Sequence, residues 1–203
     1  MPSRPIIKHV IDPAILRFPD GGTILEFGVA SGSSYIQLAD IIKNHNWPCK
    51  LIGFDSWQGL PKETEGIFRR PGWGEGQFSY PRKVVENKLR KLGISLPDER
   101  FKLVDGWFED TLTTELQQTI ENLILVNIDV DLYSSAVQVL EFLTPLLQKG
   151  TIIYFDDWCG LSDEICGERL AFKQWTEGPR YLDIDYHFIY IRKDEMCAAI
   201  EIL

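Results

Sequence analysis

The chain has 203 residues, 44% of them hydrophobic, which suits a single globular domain, expected over residues 1–203. Thirty acidic residues against 21 basic ones give a net charge of −9, which argues against a nucleic-acid binder that must neutralise phosphates. No apolar run approaches the length of a membrane span, and Met1–His9 lacks the apolar core of a signal peptide, so no membrane partner and a cytoplasmic address are expected. The cysteines Cys49, Cys159, Cys166 and Cys197 form no CxxC pair and read as reduced thiols, with Cys159 close enough to an acidic pair to line a site.

Taken in chain order, the first strong apolar run is Thr23–Gly28, read as a strand. It leads into Glu26-Phe27-Gly28-Val29-Ala30-Ser31-Gly32-Ser33-Ser34, where small residues permit a tight turn and a close backbone approach to a ligand before a helix over Ser34–Asn44. The turn does not spell GxGxxG. Glu26 would be awkward beside a pyrophosphate and suits a cofactor bearing a cationic group, unless it is simply a surface acid. The second strand, Lys50–Asp55, ends in Gly53-Phe54-Asp55-Ser56, with Asp55 23 residues beyond Gly32. An acid there is placed to accept hydrogen bonds from ribose hydroxyls, or it merely forms a turn. Trp57–Ser79 is rich in glycine and aromatics without periodicity, which predicts a lid over residues 57–80, or else a disordered loop. A helix over Tyr80–Leu92 carries Arg82-Lys83 and Lys88-Leu89-Arg90-Lys91, read as a solvated face. The third strand, Phe101–Asp105, continues into Gly106-Trp107-Phe108, where an adenine could lie beside backbone and an aromatic face; the bland reading of Trp107 is core. A helix is predicted over Leu112–Glu121.

The fourth and fifth strands, Leu123–Asp129 and Thr151–Asp156, each close on acids: Asp129-Val130-Asp131 and Asp156-Asp157-Trp158. Ligands collect at the carboxyl ends of parallel strands, so Asp129, Asp156 and Asp157 would converge at one rim. Three crowded carboxylates repel unless a cation lies between them, and hard oxygen ligands suit Mg²⁺; the bland reading is that Asp131 and Asp157 merely cap following helices or face water. Strand alternation would put Asp131 on the same side as Asp129. Between these strands, Ala136, Val139, Leu140, Leu143, Leu146 and Leu147 mark the buried stripe of a helix over Ser134–Gln148. A helix over Glu164–Glu177 follows, and then a terminal antiparallel hairpin built from Tyr181–Arg192 and Cys197–Leu203. His187 is read as an ordinary strand residue, with Tyr186, Phe188 and Tyr190 together on the opposite face; His9 and His45 are read as surface residues. The alternation predicts an α/β, doubly wound, Rossmann-like and mostly parallel sheet with that hairpin at its end.

These segments resemble the class I S-adenosylmethionine-dependent methyltransferases and, more narrowly, the macrocin O-methyltransferase family. The resemblance rests on Glu26-Phe27-Gly28-Val29, Gly53 to Pro61, Gly106 to Leu112, Asp129 to Tyr133 and Asp156-Asp157-Trp158. It implies S-adenosylmethionine and Mg²⁺ as cofactors and a hydroxylated small-molecule acceptor, a sugar or natural product. Asp129, Asp156 and Asp157 correspond to metal ligands, with Asp129 and Asp131 in the catalytic centre and Asp131 as general base. Glu26, Gly28, Ser33, Asp55 and Ser56 fall where the cofactor is held, with Gly106 and Trp107 beside its adenine. Catechol O-methyltransferases carry a lysine three residues after the first metal aspartate; here that position is Leu132. The rival readings are an NAD(P)-binding oxidoreductase, which would want GxGxxG, a nucleic-acid methyltransferase, and a non-catalytic Rossmann-like cofactor-binding protein. Aromatic surface is compatible with a homodimer.

Overall fold

A computed structural model describes residues 7–63, 74–158, 165, 167–178, 184–192 and 196–203. Seven strands form one sheet: β1 (Thr23–Phe27), β2 (Lys50–Asp55), β3 (Phe101–Asp105), β4 (Leu123–Ile128), β5 (Ile152–Phe155), β6 (Tyr186–Arg192) and β7 (Cys197–Ile202). Their spatial order is β3-β2-β1-β4-β5-β7-β6. The first five strands pair in parallel, and β7 inserts antiparallel between β5 and β6. The chain reverses direction across the sheet at the β1–β4 junction, which is where a doubly wound sheet opens a crevice at its carboxyl edge.

Both faces of the sheet are covered, because successive strand residues alternate faces and are nearly all apolar. Phe27, Phe54, Ile128, Phe155 and Ala198 form one transverse row and belong to a core packed under α6 (Tyr133–Leu143) and α7 (Gly167–Glu177). On the other face, Ile24, Leu51, Leu125 and Ile152 pack beneath α1 (Asp12–Arg17), α2 (Ser33–Asn44) and α3 (Arg82–Lys91). Each fully buried large side chain contributes roughly 1.5–3 kcal/mol to this core. No helix among the described residues is long and apolar enough to cross a membrane.

The five parallel strands lie where the sequence places them, each shortened by at most one residue at an end. Four expectations change. The helix expected over Leu112–Glu121 is only α5 (Thr114–Gln117), which starts where the Thr113 hydroxyl accepts from the Leu116 N–H; a separate short helix, α4 (Phe108–Thr111), precedes the expected range. The chain before residue 20, unassigned from sequence, forms a π-helical turn (Ile7–Ile11) and α1, which bury Val10, Ile11 and Ala14. His9 is not a surface residue: it is half-buried and stacks on Tyr190 at 4.1 Å between ring centroids. Tyr190 does not share a face with Tyr186 and Phe188. Register shifts between Phe188 and Tyr190, so Tyr186 and Phe188 pack around Phe172, whereas Tyr190 joins the opposite core. His187, by contrast, is a strand residue as read, 3.3 Å from Glu201. Cys159, Cys166 and the first residues of the expected Glu164–Glu177 helix up to 164 lie outside the described residues.

Candidate functional site

The carboxyl edge of β1, β2, β3 and β4 borders a cavity of about 360 Å³, lined by Gly28, Ala30, Asp55, Ser56, Gly106, Trp107, Phe108, Asp129, Val130 and Asp131, together with α6 residues Ser135 and Gln138. The remaining wall comes from Glu109 and the segment read as a lid. Its two described arms, 57–63 and 74–80, are tied together: Leu60 N–H donates to the Gln77 carbonyl and Gly76 N–H to the Leu60 carbonyl, both at 2.8 Å. Gln58, Gly59, Leu60, Pro61 and Lys62 face the cavity from one arm, with Glu75, Gly76 and Phe78 from the other. The Trp57 indole anchors the first arm by donating to Asp105 at 2.7 Å, and Arg82 binds that same carboxylate. Residues 64–73 lie outside the described residues.

The turn after β1 is built against the fourth strand. Gly28 has φ +85°, and its N–H donates to the Phe54 carbonyl. A Cβ at this position would lie 1.9 Å from the Asp129 carbonyl oxygen, so only glycine lets the two chain segments approach this closely. Lys88 adds a support that reading its helix as a solvated face had missed: its ammonium donates to the Ser31 carbonyl at 2.6 Å.

The expected cofactor residues separate into two groups. Gly28, Asp55, Ser56, Gly106 and Trp107 all line the cavity. Asp55 accepts from the Ala30 N–H at 2.7 Å and the Trp57 N–H at 2.6 Å, which fixes the carboxylate between the first turn and the lid. Burial pushes its carboxyl above the usual range, against the lowering effect of those N–H donors. Glu26 and Ser33 are not among the lining residues. Glu26 is neither a surface acid nor a cavity wall: it is fully buried under the turn and accepts from the Ser34 hydroxyl at 2.8 Å. Ser33 is the first residue of α2, behind Gly32.

Asp129, Asp156 and Asp157 do converge. One carboxylate oxygen from each lies within 4.8 Å of the others, and all three residues are half-buried. Oxygens sharing one octahedral Mg²⁺ at 2.0–2.1 Å stand about 3 Å apart when adjacent and about 4.2 Å across the ion. Three hard carboxylate oxygens this close suit a hard divalent cation, which would draw adjacent pairs in to about 3 Å. The Tyr154 hydroxyl orients Asp156 by donating to it at 3.0 Å.

Asp131 reaches the site by a different route from the one expected. The strand ends at Ile128, so alternation does not govern Asp131; it enters through a turn with φ +62°. Burial, and then the charges of Asp157, Asp129 and Glu168, push its carboxyl up to about 10. Glu168 was not singled out from sequence. It is fully buried, and burial and its acidic neighbours raise its carboxyl well above the usual range. One of its oxygens accepts from the N–H groups of Val130 at 2.9 Å and Asp131 at 3.3 Å, and the other from Asp157 N–H at 3.1 Å. No sequence signal marks it, because a lone acid at the start of a helix is ordinary.

The sheet order, the cavity at the switch point and the acids on successive strand ends define the class I methyltransferase architecture. Residues 8–193 match the family described as Macrocin-O-methyltransferase (TylF), and the chain belongs to that family. Among curated relatives, the 8-demethyl-8-(2,3-dimethoxy-alpha-L-rhamnosyl)-tetracenomycin-C 4'-O-methyltransferase of Streptomyces olivaceus is 28% identical over 143 residues, covering 68% of this chain and 53% of that protein. The Mycinamicin III 3''-O-methyltransferase of Micromonospora griseorubida is 28% identical over 182 residues, covering 78% and 69%. This chain therefore spans little more than half the length of the tetracenomycin relative. The solved structure of the O-methyltransferase NovP superposes with a TM-score of 0.73 at 23% identity, over 96% of this chain and 79% of that one, which is a likeness of fold.

Proposed function

We propose that this chain is an S-adenosylmethionine- and Mg²⁺-dependent O-methyltransferase acting on a hydroxyl of a sugar or natural-product acceptor. The observation that carries the reading is the trio Asp129, Asp156 and Asp157, brought within 4.8 Å, of which Asp129 lines the cavity that Asp55, Gly106 and Trp107 also wall. Its curated relatives are named as O-methyltransferases of a rhamnosyl tetracenomycin and of mycinamicin III, which supports the acceptor class.

When bound, S-adenosylmethionine supplies an electrophilic methyl on a positively charged sulfur, which keeps the bonding pair on transfer. A divalent ion supplies positive charge that acidifies a hydroxyl beside it. The protein's own tasks are alignment and proton management. Asp55 would accept hydrogen bonds from the ribose hydroxyls and Trp107 would cover the adenine, which together would hold the cofactor in the cavity that Asp129 also lines. Glu26, held by Ser34, supports the turn from beneath rather than touching the ligand. Alignment of this kind is worth up to about 7–11 kcal/mol of barrier in ideal cases. Asp131 takes the acceptor's hydroxyl proton onto a carboxylate oxygen as the oxygen–methyl bond forms. Asp129, Asp156 and Asp157 would hold the cation, which would offset the acidic charges that add to burial in raising the Asp131 carboxyl. The lid arms carrying Lys62, Glu75 and Phe78 close over the acceptor and select it.

Transfer of a labelled methyl from S-adenosylmethionine to a panel of glycosylated natural products tests the reading. Label should appear on an acceptor oxygen, require Mg²⁺, and be lost with a chelator or in D157A. Transfer that a chelator leaves untouched would remove the metal from the mechanism.

A further inference from the structure

The two loops that bear the proposed metal ligands are held together by little backbone. The β4–β5 ladder ends at the Ile128–Phe155 pair, and the Asp156 N–H to Ile128 carbonyl bond follows it at 3.0 Å. Beyond that point the loops are joined by a side chain from a third element. Glu168, in the first turn of α7, spans them, with one oxygen on the N–H groups of Val130 and Asp131 and the other on that of Asp157. The helix starts in contact with the first loop. Gly167 has φ +50°, and a Cβ there would lie 2.8 Å from the Asp131 carbonyl oxygen, so a larger residue would push Glu168 away from the N–H groups it binds.

A fully buried carboxylate is placed at this junction where an apolar residue would pack more readily, and three N–H donors offset its desolvation. We propose that Glu168 is a positioning residue: it sets the distance between the Asp129 loop and the Asp157 loop, and through it the affinity of the site for a divalent cation. The inference rests on the divalent-ion reading of the carboxylate trio. An ion shared by three carboxylates tolerates little drift between the loops that carry them, and partners of this kind typically change metal affinity about 10- to 100-fold when altered.

The test is Mn²⁺ titration of the metal-free full chain, read from the electron paramagnetic resonance of free Mn²⁺, for wild type, E168Q and E168D. S-adenosylhomocysteine affinity is measured in parallel by calorimetry. Glutamine keeps the volume and one acceptor oxygen but turns an amide NH₂ toward one loop's N–H. Aspartate keeps both acceptors but is one methylene too short to reach both loops. E168Q should weaken Mn²⁺ binding by roughly 10- to 100-fold with S-adenosylhomocysteine affinity within about twofold of wild type, and E168D should fall between. Equal Mn²⁺ affinity in wild type and E168Q overturns the proposal, as does a parallel loss of both ligands, which would mark a general structural role. If E168Q does not fold, wild-type Mn²⁺ affinity in E168D overturns it. Wild-type protein that takes up no Mn²⁺ at all refutes the divalent-ion reading itself, and this inference with it.

Discussion

Gly28→Ala is the substitution whose effect follows most directly from the structure, because it strikes the contact that joins the cofactor turn to a proposed metal ligand. Gly28 sits at φ +85°, where a side chain costs about 1–2 kcal/mol from backbone conformation alone. The added methyl would also lie 1.9 Å from the Asp129 carbonyl oxygen, so the two segments must part by about an ångström. They resist, since Gly28 N–H donates to Phe54 and Asp129 N–H to Phe27, both at 3.0 Å. Overpacking of this kind costs about 1–3 kcal/mol, which brings the sum to roughly 2–5 kcal/mol. For a chain of this length each kcal/mol lowers the melting temperature by about 2–4 °C, so G28A should melt roughly 4–20 °C below wild type. Thermal melts read the first effect, and calorimetry with S-adenosylhomocysteine reads a second, a weakened affinity. A variant melting within about 2 °C of wild type with unchanged affinity would refute the claim that this turn sets the site.

Asp131→Asn should keep S-adenosylhomocysteine and Mn²⁺ binding while turnover falls by about 10²- to 10⁴-fold, measured by single-turnover methyl transfer; a near-wild-type rate would take Asp131 out of the mechanism. Burial raises the Asp55 carboxyl, so it takes up a proton at a higher pH than a free aspartate and stops being a pure acceptor as pH falls through that raised value. S-adenosylhomocysteine affinity should therefore weaken as pH falls through that raised value, at a higher pH than a free aspartate would give, and D55N should flatten that dependence. An affinity that does not change with pH in wild type removes Asp55 from ribose recognition.

What the sequence revealed and what it hid have the same physical origin. A strand buried on both faces is a continuous apolar run, so Leu123–Ile128 and Lys50–Asp55 announce themselves, and the acids that end them mark the sheet's ligand edge. The convergence of Asp129, Asp156 and Asp157 was legible because parallel topology fixes where strand ends meet. Asp131 was found on a reason that does not hold: its placement comes from a left-handed turn, not from strand alternation. Glu26 was legible as an acid on the first strand, but its inward rotamer and its bond to Ser34 depend on packing that no local pattern encodes. Local patterns failed in the same way at Tyr190, where a register shift broke the two-residue period, and at Thr113, which caps a helix of only four residues. Glu168 was invisible because its function lies in bonds to backbone N–H groups 11 to 38 residues away.

The central claim is that Asp129, Asp156 and Asp157 hold one divalent cation. A crystal grown with Mn²⁺ and S-adenosylhomocysteine, measured at a wavelength where manganese scatters anomalously, tests it most directly. A single anomalous peak should sit within about 2.0–2.3 Å of one oxygen from each of the three carboxylates. A fully occupied ligand pocket with no peak among those oxygens would contradict the account.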